Sequence, residues 1–150
     1  MARFILLLIF IIGLQGIGAA IGFTFAPGAW FDGLQKPFFQ PPPQIFGLVW
    51  PVLYLLIAIA GWRVFVSEGK IPGWPFWLGQ MVLNWAWSPI FFGLNQMLVA
   101  LLVLLATLGF SIAFMKTVRP YDWFSALCFA PYVLWLSFAS LLNASIWLMN

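Results

Sequence analysis

The sequence predicts an all-α membrane protein, a bundle of five transmembrane helices forming one domain over residues 1–150. Three observations predict it. Charged residues make up only 6% of the chain and hydrophobic ones 65%, whereas roughly a quarter of a soluble domain is charged. The mean hydropathy is +1.07, so lipid is the solvent that suits most of this chain. The apolar runs are continuous rather than alternating, which excludes a β-barrel built from strands of about 10 alternating residues. Each helical crossing needs about 20 apolar residues, so five would use roughly 100 and leave roughly 50 for loops and ends.

The first span runs from about Phe4 to Phe25. Its basic start, Met1-Ala2-Arg3, resembles that of a secretory signal, but the apolar run exceeds the roughly 7–15 residues of such a segment. It also ends in Phe-Thr-Phe-Ala-Pro rather than a small-x-small cleavage site, so a retained helix is expected. Within it, Gly18 and Gly22, with Ala19 beside them, offer a close-packing face. That face suits either a neighbouring helix of the same chain or a second copy.

The stretch Trp30–Tyr54 is the most informative part of the sequence. Pro37 and the run Pro41-Pro42-Pro43 fix φ and remove backbone donors, so the loop is expected to hold neither helix nor central strand. A flexible tether would use Gly and Ser instead. This loop is stiff and displays Trp30, Phe31, Phe38 and Phe39 between two apolar runs, as a lid over something flat and apolar would.

The second span is expected from about Ile45 to Val66, the third from Trp74 to Phe92, the fourth from Met97 to Met115 and the fifth from Trp123 to Trp147. Only Gly93-Leu94-Asn95-Gln96 separates the third from the fourth, which makes them a tight antiparallel hairpin. With five spans, Arg3, Arg63, Lys70, Lys116 and Arg119 fall on one side, and Lys36 on the other. Positive charge stays cytoplasmic, so the N-terminus is expected inside, with the aromatic loop and the C-terminus outside. The net charge of +3 is this bias. No basic cluster with a stacking stripe faces water, so no nucleic-acid partner is expected. Cys128 is the only cysteine and can form no intrachain disulfide.

Three helical faces mix large aromatics with hydrogen-bonding groups. In the third span Gln80, Asn84, Trp87 and Ser88 recur at helical spacing. In the fifth, Tyr132, Trp135, Ala139 and Asn143 do so, and in the second Phe46, Trp50, Tyr54 and Gly61. Amides in a bilayer are costly unless they are paired or face a cavity. These faces therefore either line a pocket for a flat, mostly apolar ligand or hold helices together, at about 1 kcal/mol or less per amide. Trp62, Trp74, Trp77, Trp123 and Trp147, near span ends, suit an interfacial belt. Trp50 and Trp135 lie inside their spans and suit it less. Pro51, Pro89 and Pro131 kink their helices, and kinks in a small bundle also open central space.

Acid–base catalysis finds little support. There is no His, and Asp32, Glu68 and Asp122 are the only acids, all in loops or at span ends. They assemble no metal-ligand cluster, nucleophile–base pair or carboxylate pair. No Gly-rich phosphate loop is present, so ATP-driven transport is unsupported. No metal or cofactor is expected.

Three blocks carry a resemblance to a known family. Trp30-Phe31, Leu34, Lys36-Pro37, Pro41-Pro42, Phe46, Trp50 and Leu53-Tyr54 form the first, Gln80 through Phe92 the second, and Pro131 through Asn143 with Ile146-Trp147 the third. In that order they resemble the translocator protein family, also called the tryptophan-rich sensory protein or peripheral benzodiazepine receptor family. The resemblance covers the whole chain, and its type is bacterial. It implies a five-helix receptor binding protoporphyrin IX, haem or a related tetrapyrrole, and similar flat compounds such as benzodiazepine-like molecules. It also implies a homodimer, for which Gly18 and Gly22 are the expected contact. Passive transport of tetrapyrroles or sterols and light-dependent porphyrin degradation through Trp50 and Trp135 are the other activities it implies. The chain departs from the family's pattern at Phe31, where Tyr is frequent, and at Phe38-Phe39, where Trp pairs are. No Tyr or basic residue follows Tyr132, so the animal members' cholesterol motif, a weak pattern in any case, is missing. The ligand-binding residues expected are Trp30, Phe31, Phe38, Phe39, Phe46, Trp50, Tyr54, Gln80, Asn84, Trp87, Ser88, Trp135, Ala139 and Asn143.

Overall fold

A computed structural model describes residues 1–150 as six helices with no strand. They are α1 (Ala2–Thr24), α2 (Ala29–Asp32), α3 (Pro43–Phe65), α4 (Trp74–Ser88), α5 (Met97–Val118) and α6 (Trp123–Met149). Helices α1, α3, α5 and α6 are long and apolar enough to cross a membrane, the pattern of a multi-pass integral membrane protein. Helix α4 has 15 α-helical residues and then widens into a five-residue π turn, Pro89–Gly93. Pro89 supplies no N–H to the α ladder, and π turns arise where that ladder is interrupted.

Helix α2 corrects the expectation of a helix-free loop. Residues 29–32 precede the proline-rich part, so nothing bars a single turn there. Gly28 enters it in an extended conformation and Gly33 closes it. Pro43, expected in the loop, is the first residue of α3. At that position its missing N–H would have had no partner in any case.

Around the bundle the order is α1, α3, α6, α5, α4. The core lies between α3, α4, α5 and α6, where Ile57, Met81, Phe114, Phe129, Tyr132 and Leu136 are sealed from solvent. The rings of Phe114 and Phe129 lie 4.2 Å apart. Helix α1 is peripheral, with Leu14 as its one buried residue. Trp77 corrects the belt assignment: it is 5% exposed, and its indole N–H donates to the carbonyl of Ile57 at 3.0 Å. A side chain at Gly61 would collide with that indole, so Gly61 serves the α3–α4 approach and lies outside the cavity described below.

The two ends of the bundle are tied differently. At the N-terminal end the Trp62 indole donates to the carbonyl of Arg3 at 2.9 Å. Arg63 there grips Asp122 with two hydrogen bonds of 2.7 and 3.0 Å. Asp122 also caps α6, accepting from the Ser125 hydroxyl at 2.6 Å and its amide at 3.4 Å. Burial works against ionisation of Asp122. The Arg63 guanidinium and Ser125 outweigh it and hold the carboxyl below its ordinary value. At the other end Asn150 exchanges two hydrogen bonds with the Gln35 backbone, at 2.9 and 3.0 Å. Helix α4 with its π turn reaches between these ends: Gly73 abuts Phe114 and Val118, and Gly93 lies under the Phe25 ring.

Candidate functional site

A cavity of about 750 Å³ opens in the half of the bundle nearest the aromatic loop. Helices α1, α3, α4 and α6 form its sides, and Leu104 of α5 contributes below. Phe31, Asp32 and Gln40 close the loop side. Of the residues expected from sequence, Phe31, Phe46, Trp50, Tyr54, Asn84, Trp87, Ser88, Trp135 and Ala139 all line it. On α3, Phe46, Trp50 and Tyr54 recur every four residues, which puts them on one inward face.

The aromatic wall is a corner. The Trp135 ring meets Phe46 edge-on at 5.6 Å and Trp50 edge-on at 6.5 Å. Trp50 lies at a tilt over Tyr54, 5.5 Å away. These are the offset and edge geometries that ring quadrupoles favour. Across the cavity Trp87 stacks on Phe91 at 5.1 Å, and its indole donates to Asn143 at 3.1 Å.

Beneath the aromatics runs a buried polar chain. The Tyr54 hydroxyl donates to the Asn84 carbonyl oxygen at 2.7 Å, and the Asn84 amide donates to the Tyr132 hydroxyl at 2.9 Å. Asn84 thus joins α3, α4 and α6, so it is helix glue and cavity wall together. In a bilayer such a chain is tolerated because each member has a partner.

Five expected residues lie outside the cavity. Trp30 packs edge-on against Phe91, 5.7 Å away. Phe39 rests on Phe138 of α6 at 6.3 Å. Phe38 touches Phe39 edge-on at 5.4 Å but is 100% exposed, so it forms no part of the cavity wall. Asn143 is consumed by Trp87 and by the carbonyl of Met97, to which it donates at 3.0 Å. Gln80 is fully buried with neither amide atom partnered.

The close packing expected of the α1 glycines is met within the chain at Gly18, where a side chain would strike the Tyr54 ring, while Gly22 has no neighbour within reach of a side chain. Gly18 and Gly22 both line the cavity. Small residues keep this wall thin where α1 crosses α3.

Sequence reasoning missed Gln15, Ala19, Phe25, Gln40 and Phe92, all of which line the cavity. Gln15 had a signal, since an amide inside an apolar run marks either a partner or a cavity. It has both, donating to the carbonyl of Pro51 at 2.7 Å. Gln40 has a carbonyl oxygen buried without a partner, which leaves a free hydrogen-bonding group on the loop side. Lys36 is spent on the loop itself. Its ammonium sits over the Phe31 ring at 4.6 Å and donates to the carbonyls of Asp32 and Leu34 at 3.2 and 3.3 Å.

Comparison with known proteins agrees over nearly the whole chain. The model of the TspO/MBR family matches residues 4–148. Protein CrtK of Rhodobacter capsulatus is 40% identical over 139 residues, covering 87% of this chain and 84% of its own. The tryptophan-rich sensory protein of Cereibacter sphaeroides is 35% identical, covering 85% of this chain and 81% of its own. The human translocator protein is also 35% identical, with coverage of 89% and 84%.

Proposed function

The chain belongs to the TspO/MBR family, and on that premise we propose that it is a membrane receptor for porphyrin-type tetrapyrroles and similar flat, mostly apolar ligands. The observation that carries this reading is the cavity. Its volume of about 750 Å³ falls within the roughly 300–1,000 Å³ of small-molecule and cofactor sites. Trp50, Trp135 and Phe46 offer ring faces and edges to a π system. Gln15, Gln40, Asn84 and Ser88 place a few polar groups among apolar walls, the pattern that orients an amphipathic ligand. In this reading α4 and its π turn make the fifth crossing, the N-terminus is cytoplasmic, and the loop carrying Phe31 and Gln40 is the lid. Binding then regulates or scavenges tetrapyrroles.

The test is a protoporphyrin IX titration of the purified protein, read by quenching of tryptophan fluorescence and repeated with Trp50→Ala and Trp135→Ala. Saturable binding that weakens in both variants supports the reading. Saturable binding unchanged in both, with helicity intact, moves the ligand elsewhere.

The pairing of two indoles in one cavity also favours a second reading, light-dependent porphyrin degradation. An excited porphyrin there would have two oxidisable indoles beside it, meeting at one corner of the wall. Illumination of the complex under oxygen, followed by analysis for a new pigment product, separates the two. Passive carriage of tetrapyrroles or sterols is separated by liposome flux with and without the protein.

A further inference from the structure

We propose that the ligand reaches the cavity sideways from the bilayer, between α3 and α6, through a portal whose door is Trp135. The proposal rests on the receptor reading above.

Trp135 is the one residue common to the walls of two spaces. One is the internal cavity. The other is a groove of about 680 Å³ on the outer face of α3 and α6, and it contains no polar side chain. Leu48 and Val52 of α3 and Leu134 of α6 line that groove and are 68%, 57% and 72% exposed. In a bilayer they face lipid. On the α3–α6 side a single indole therefore separates the lipid phase from the proposed binding site.

The seam between α3 and α6 is built to hold at one end and give at the other. Towards the N-terminal end it is pinned by the Arg63–Asp122 ion pair at 2.7 Å and by the sealed packing of Ile57, Phe129 and Tyr132. Each helix also carries an internal proline, Pro51 in the loop half of α3 and Pro131 in α6, one turn before Trp135 and next to the sealed Tyr132. Each proline removes one rung of its helix ladder; Pro51 lines the cavity and Pro131 the groove.

Trp135 itself is held more lightly than its counterparts. Trp77 and Trp87 are anchored through their indole N–H groups. The Trp135 ring is held by contacts with Phe46, Trp50 and Phe138 at 5.6, 6.5 and 5.7 Å. Rotation of this one side chain would join groove and cavity without moving a helix.

The chemistry of the groove selects its traffic. A flat apolar ring partitions into lipid and passes between apolar walls, and carboxyl groups on its rim would cross them in the protonated, neutral form, since an ionised carboxylate would lose its water with nothing to replace it. The groove is thus a passage for the class of ligand that the cavity is built to hold.

A gate changes the height of a barrier and leaves the end states alone, so it alters entry and exit rates by the same factor. Leu48→Trp and Leu134→Trp narrow the groove from opposite rims, at lipid-facing positions outside the cavity wall. Leu102→Trp, on the lipid face of α5, is the control. Stopped-flow association and release of protoporphyrin IX, measured in proteoliposomes, should slow together by about tenfold in both groove variants. The dissociation constant should stay within about twofold of wild type, and the control should exchange at the wild-type rate. Groove variants that exchange at the wild-type rate would overturn the portal and place entry at the loop or beside α1. So would a loss of affinity confined to one of the two rates. Absence of saturable binding in the wild-type protein is seen before any variant is made and would remove the receptor reading together with the portal.

Discussion

Trp50 and Trp135 are the side chains on which binding is expected to turn. Each presents a ring to the cavity, and each is part of the edge-on corner with Phe46. Trp50→Ala or Trp135→Ala removes a stacking surface and leaves a void, so each should weaken porphyrin binding by about 1–3 kcal/mol, measured by titration at equilibrium. Phe38 gives the opposite expectation. Its full exposure means Phe38→Ala should leave affinity unchanged, while Phe39→Ala, which loosens the loop from Phe138, should speed ligand release. Asn84 tests the polar chain. Asn84→Leu strands the hydroxyls of Tyr54 and Tyr132, which should cost about 1–3 kcal/mol of stability, visible as a lower Tm in detergent. At this scale the sequence was legible where periodicity applied. Phe46, Trp50 and Tyr54 share a face because they are four apart, and the cavity lies on that face. It was less legible where two uses look alike. Asn143 and Asn84 are both in-span amides, yet one is consumed by Trp87 and Met97 while the other borders the cavity. Which of them does so depends on helix rotation, and composition does not set that. Phe38 and Phe39 are adjacent and identical in type, and only the turn of the loop decides which one packs.

The elements show the same division. Continuous apolar runs marked α1, α3, α5 and α6 to within a few residues. The third expected span proved composite, 15 residues of α-helix and then a π turn, because Pro89 breaks the ladder and apolarity alone cannot report that. The Pro41-Pro42-Pro43 run was expected to stiffen the loop. The structure adds that Pro43 begins α3, so this stiffness is transmitted directly into the helix bearing Phe46 and Trp50. Replacing the run with Gly-Ser-Gly should weaken ligand binding without removing a pocket ring, through the ordering entropy it restores to the loop. Stopped-flow release rates would show this as faster dissociation. Off-rates within about twofold of wild type, well under 1 kcal/mol, would reduce the loop to a linker. At the opposite end Asp122 caps α6 and pairs with Arg63. Its folded-state value is lowered, so its contribution to stability is present above the ordinary carboxylate value of about 3.9 and fades as pH falls through the lower folded value. Asp122→Ala should cost about 1–2 kcal/mol at neutral pH. The gap in Tm between wild type and variant should close as the pH is lowered past about 4, because the protonated wild type has already lost the charge that the variant lacks.

Across the whole molecule, the basic residues and the tied ends make one picture. Arg3, Arg63 and Asp122 meet at one end, and Gln35 meets Asn150 at the other. Tags at the two termini, probed with impermeant reagents in intact cells, should find the C-terminus accessible and the N-terminus protected. A protected C-terminus would sink the arrangement of five crossings with the N-terminus inside. The bundle also divides along its length. The half near Arg63 and Asp122 is sealed by Phe114, Phe129 and Tyr132, and the half near the loop holds the cavity. Stability is thereby kept away from the part proposed to admit a ligand, as expected where binding needs a less rigid region. The most direct test of this account is an experimental structure of the protein bound to protoporphyrin IX in a lipid environment. The account predicts a macrocycle among Trp50, Trp135 and Phe46, beneath the loop bearing Phe31 and Gln40, with its carboxylates near the cavity's polar groups. A macrocycle bound only on the outer surface of the bundle, with the cavity filled by side chains or lipid, would contradict it.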